Sequence, residues 1–153
     1  GLGDVYKRQY KGEIYGISFF TYFAVNYTDK TSHPLWLALT QVEILTADLL
    51  EISLHKLQIP FERHDPLMID KGIIDAKRWL NLPWNELVDT LTDWVEPYEK
   101  KYREWALEAE DHIDVFQLIA DHETAIYQCW KAEQNEESGI GYLSTFIQKY
   151  TKL

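Results

Sequence analysis

The chain holds one cysteine, Cys129, among 153 residues, so no internal disulfide can form and a reducing, cytoplasmic setting is expected. Its longest apolar stretch, around Ile14 to Val25, is too short to cross a bilayer and is interrupted by Thr21. Cationic residues are scarce: 15 Lys and Arg face 25 Asp and Glu, for a formal charge of −10. That charge repels phosphate backbones and anionic headgroups, so neither nucleic acid nor a membrane is an expected partner. Gly139 and Gly141 form only G-x-G, with no strand before them, which is not a phosphate-binding loop. No His or Asp stands near Cys129 in a pattern that would activate it, so a serine- or cysteine-type hydrolase is disfavoured. Strand alternation, internal repeats and low-complexity tracts are also missing.

What remains is 46% hydrophobic, 14% aromatic and 26% charged, the composition of one globular domain over residues 10–153. The first nine residues, GLGDVYKRQ, resemble the translated sequencing-adapter tail found at the ends of gene fragments from environmental DNA. Residues 1–9 are therefore set aside from the fold, and sequence is expected to be missing upstream of residue 10.

Helical spacing organises the rest. Tyr10, Ile17, Phe20, Ala24 and Tyr27 recur at three- and four-residue steps, with Glu13 on the same face. After the polar turn NYTDKTS, Ser32 and Pro34 mark a second start, and Trp36, Leu39, Glu43, Thr46, Leu50, Ser53 and Leu57 form its seam. A short helix is expected over 70–80. Asn81 and Pro83 open a third long helix with Leu87, Leu91, Trp94, Tyr98, Tyr102 and Trp105 on one side, and Pro97 within it should kink or break it. Asp111 is placed to cap a fourth, whose broad inner face includes Leu118, His122, Glu123, Ile126 and Cys129. A short terminal helix is expected over 142–150. The expected fold is all-α: an antiparallel four-helix bundle with long helices near 10–27, 33–57, 83–110 and 112–136.

Heights along these helices follow from a rise of 1.5 Å per residue. Glu13 falls about 21 Å from the first turn and Glu43 about 15 Å, and His122 and Glu123 fall about 15 Å into the fourth helix of a roughly 36 Å bundle. All four are thus expected near mid-height. A carboxylate in an apolar seam is costly unless paired, protonated or bound to a cation. Two readings follow. Glu13, Glu43, His122 and Glu123 are metal ligands, or they are a hydrogen-bonded polar layer in a non-catalytic structural or partner-binding bundle.

With Glu13 on the first helix, Glu43 within QVEILTADLL on the second and DHETAIYQCWKAE on the fourth, the chain resembles the ferritin-like superfamily over about residues 10–137. The resemblance implies an antiparallel four-helix bundle and, in metal-loaded members, iron or manganese held by carboxylates and histidines for oxidative chemistry or iron handling. The family's Glu-x-x-His pairs are degenerate here. Thr46 stands where a histidine would follow Glu43, Ile126 lies three residues after Glu123, and Tyr98 and Tyr102 occupy the third seam where a carboxylate is expected. Thr46, Tyr98, Tyr102 and Ile126 are accordingly expected around the ligands, as supporting or pocket residues.

Other groups point to plainer roles. Glu51 with His55, and Glu108 with His112, read as surface pairs, and His33 and His64 as solvated loop residues. Six Trp and ten Tyr suit either an aromatic core or a groove opened at Pro97 for a partner helix or small ligand, and an exposed aromatic edge would be covered in a homodimer.

Overall fold

In the computed structural model, which describes residues 2–152, the chain folds into six α-helices and one 3₁₀ turn. Helix α1 spans Leu2–Asn26, α2 His33–Lys56, α3 Pro66–Trp79, α4 Trp84–Glu108, α5 Ile113–Gln134 and α6 Ile140–Thr151, with the 3₁₀ turn at Lys30–Ser32. No strand occurs among the described residues, and none of the helices is long and apolar enough to cross a membrane. Gly1, the first residue of the segment set aside as a tail, lies outside the described residues. The other eight residues of that segment are the first turns of α1, because Tyr6 and Gln9 continue its buried stripe one step before Tyr10.

The helices group into two compact units, one ending at Asn81 and one beginning at Leu82. In the first, α1 packs against both α2 and α3. Its core is aromatic: Phe23 stacks on Trp36 with ring centroids 4.6 Å apart, and Phe19 and Phe20 meet edge-on at 5.3 Å. The indole N–H of Trp36 donates to Ser32 Oγ at 3.0 Å, so this large ring is buried with its one polar group satisfied. Ser32 is the residue before α2, as the sequence suggests, but its hydroxyl serves Trp36 and Asp29 rather than the helix's own amides.

Helix α3 begins four residues earlier than its periodicity suggests. Asp65 caps it, accepting from the amides of Leu67 and Met68, and Pro66 fits the first turn, where no amide proton is needed. Only Gly72 and Ala76 of α3 are buried, and these small residues let it lie close against α1, where Tyr15 donates to Asp75 at 2.7 Å and Ser18 to the Ile69 carbonyl at 2.7 Å. Asp65→Ala should lower stability by about 1 kcal/mol, seen as a lower thermal midpoint with helix content otherwise retained.

In the second unit, α4 packs on α5 and α5 on α6. Pro97 lies inside α4 without ending it, contrary to the expected break: α4 runs unbroken from Trp84 to Glu108, with Pro97 itself on the exposed side. The expected capping roles of Asn81 and Asp111 are not realised. Pro83 precedes α4, and His112, in the left-handed region at φ 54°, precedes α5. Helix α6 is held through Asp121 on α5, which accepts from Tyr150 at 2.5 Å, Lys149 at 2.7 Å and Gln117 at 2.8 Å. Burial raises the Asp121 pKa, but these three hydrogen bonds outweigh it and keep the carboxyl below its ordinary value.

Candidate metal centre

Glu13 and Glu43 come together within the first unit. Glu13 leaves α1 and is 0% exposed, and Glu43 leaves α2 and is 4% exposed. A carboxylate oxygen of one lies within 4.8 Å of an oxygen of the other. Their position follows from the seams: each sits where the three-and-four spacing places an apolar residue, between Tyr10 and Phe20 on α1 and between Leu39 and Leu50 on α2. Gln9, one turn before Glu13, donates its amide to Glu13 Oε1 at 2.6 Å and so fixes one of its oxygens. Gly16 makes the approach of the second carboxylate feasible. A Cβ at residue 16 would lie 2.7 Å from the Glu43 carboxyl carbon and nearer still to Oε2. The space of one missing methyl group is therefore filled by the Glu43 head.

Thr46 is buried one turn beyond Glu43, but its hydroxyl donates to the Val42 carbonyl at 2.8 Å, back-bonding to its own helix. A further polar layer on α1 and α2 joins Tyr10, which donates to Glu51 Oε2 at 2.8 Å, to Arg63, which binds both Glu51 and Asp48. The Tyr10 phenol pKa is pushed up, first by burial and then by its bond to the Glu51 carboxylate. Glu51, read from the sequence as a surface partner of His55, thus points to Tyr10 and Arg63.

The second unit holds the histidine. His122 on α5 is buried, with Nδ1 3.5 Å from Oε1 of the half-buried Glu123, and its ring meets Phe146 of α6 edge-on at 6.3 Å. Ile126, one turn on, is buried too. Of the α4 tyrosines, Tyr102 is buried, whereas Tyr98 is 48% exposed, which corrects its assignment to the inner seam. The buried position belongs to its neighbour, Glu99, which accepts from Thr124 of α5 at 2.9 Å and from Arg103 at 3.0 Å. The sequence reading missed this carboxylate. Its signal was Val88, Thr92, Glu99 and Tyr102 as an alternative seam one residue round from Leu91, Trp94 and Tyr98, with Glu99 masked by its pairing with Arg103 four residues on.

Glu13, Glu43 and His122 are each buried, and each offers an oxygen or nitrogen atom of the type that holds a metal ion. Carboxylate oxygens with an imidazole nitrogen suit iron, manganese or zinc. Cys129 does not belong to such a set. Burial raises its pKa and, with Glu133 adding to the effect, keeps the thiol protonated and unreactive. A half-open cavity lies in the first unit, lined mainly by α1, with Ile69 and Ile73 of α3.

No protein-family model, no curated protein and no solved structure matches this chain.

Proposed function

We propose that this chain is a ferritin-like helical bundle protein that binds iron or manganese through Glu13 and Glu43 of the first unit. His122 and Glu123 of the second unit are the nitrogen ligand and third carboxylate that the sequence alone suggests, and they call for a separate test. The observation that carries the reading is the pair itself: two carboxylates from different helices, both buried, with oxygens within 4.8 Å of one another. Like charges held that close in an apolar interior do not both stay ionised unless a proton or a cation offsets them. The local packing favours the placement, since Gln9 holds one oxygen of Glu13 and Gly16 admits the head of Glu43.

When bound, iron or manganese supplies one-electron redox chemistry. The chain's own residues supply the rest. The two carboxylates balance the charge, Gln9 orients one of them, and the apolar side chains that flank them on α1 and α2 keep bulk water away. Protein purified without chelators should carry stoichiometric iron or manganese by elemental analysis, and Glu43→Ala should lose it. His122→Ala tests the nitrogen ligand separately: retention of full metal by this variant confines the site to the carboxylate pair. A metal-free wild type that also takes up none on addition makes the four residues a polar layer of a non-catalytic bundle.

A further inference from the structure

The first unit contains a half-open cavity of about 530 Å³ between α1 and α3, bordered by Ile44 of α2 and by the loop residues Arg63 and His64. That volume lies within the range of small-molecule sites, roughly 300–1,000 Å³. Its walls are isoleucines on three helices: Ile14 and Ile17, Ile44, and Ile69 and Ile73. Two of the polar side chains among them are already occupied on the chain itself. Ser18 donates to the Ile69 carbonyl at 2.7 Å, and Asn26 to the Tyr22 carbonyl at 2.9 Å. At the rim, Val25 is 66% and Ile44 37% exposed, so apolar surface is left in water.

The polar groups at one end decide what class of molecule fits. The ion pairs of Arg63 with Asp48 and Glu51 both leave from Nη1, and Tyr10 is a third hydrogen-bond partner of the guanidinium. The guanidinium's N–H donors on Nε and Nη2 lie outside the ion pairs, and Tyr10 does not use them all. Its charge is nonetheless already balanced. Glu51 and Asp48 bind it, Glu62 accepts from the His64 amide at 3.1 Å, and the chain as a whole carries −10. An anionic head would meet those carboxylates, and a cationic head would meet the guanidinium. We infer that the cavity binds one small, uncharged, elongated apolar molecule carrying a single acceptor oxygen, a ketone, aldehyde or alcohol, with that oxygen at the Arg63 and His64 end. None of the four residues assigned to metal lines the cavity, so the inference stands apart from the metal reading.

The probe is decan-2-one, titrated by calorimetry into metal-free wild-type protein, with decanoate as the charged counterpart of similar chain length. One saturable equivalent of decan-2-one is expected, with decanoate at least tenfold weaker. Thr21→Trp and Val25→Trp place bulk on exposed positions of the lining, so both variants should fold normally by circular dichroism and bind decan-2-one at least tenfold more weakly. Absence of saturable binding, or unchanged affinity in both variants, overturns the site. Decanoate binding as tightly as the ketone overturns the uncharged-head assignment. Sedimentation velocity supplies the last check. A dimer that decan-2-one dissociates shows that a second copy of the chain fills the cavity, which also overturns the inference.

Discussion

Gly139→Ala should destabilise the protein by about 3 kcal/mol, the upper end of what overpacking a tight site costs. A Cβ there would lie 2.7 Å from Cys129 Sγ and closer still to the Cys129 carbonyl oxygen, which belongs to the backbone of α5 and has no room to retreat. The residue is also tied in place, because its amide donates to Glu133 at 2.7 Å. Moving it would lift the start of α6, whose Leu143, Phe146 and Tyr150 are buried in the second unit. For a chain of this length the expected fall in Tm is roughly 6–12 °C. Gly141→Ala is the control. A Cβ at that position meets nothing within 4 Å, so the variant should be neutral or gain up to about 1 kcal/mol from helix propensity. Equal stability of Gly139→Ala and wild type in thermal unfolding would show that the α5 to α6 turn is not as tight as described.

The contrast between these two glycines shows where the sequence was legible. Both stand in one G-x-G, and nothing in the letters tells which of them a carbonyl approaches. Periodicity, by contrast, located all six helices, since apolar residues every three or four positions are what a helix buried on one side must show. The starts of α4 and α5 fall within one residue of those expected, although Pro83 and His112 precede them and neither caps through its side chain. Helix α3 starts well before its expected position, because Asp65 reaches the amides of Leu67 and Met68 and apolar spacing does not show which amide a side chain reaches. Burial of Glu13, Glu43 and His122 was readable for the same reason as the helices. Glu99 was not, since a step of one residue separates its seam from that of Tyr98, and single-sequence spacing tolerates both.

Metal should stabilise wild-type protein and leave Glu43→Gln unmoved. Unit charges at the 4.8 Å limit found for Glu13 and Glu43 repel by about 3 kcal/mol at an effective dielectric near 20. In metal-free protein that repulsion is relieved by taking up a proton or by positive charge nearby, each at a cost to folding. Glutamine at position 43 keeps the shape and removes one charge, so metal-free Glu43→Gln should be at least as stable as metal-free wild type. Added metal reverses the order. Mn²⁺ at one hundred times its dissociation constant stabilises a folded state that alone binds it by about 2.7 kcal/mol, or roughly 5–10 °C in Tm for a chain of this size. Wild type should show that rise, and Glu43→Gln should not, because one of the two oxygen donors that balance the cation is now a neutral amide. Gly16→Ala should fall between them: its methyl group displaces only the flexible end of Glu43, so the fold survives while the metal-dependent rise shrinks. Were the wild-type Tm unmoved by Mn²⁺ and Fe²⁺ alike, a proton or nearby positive charge and not a metal ion would be offsetting the two carboxylates, and the stability of metal-free Glu43→Gln would then measure the cost of that arrangement.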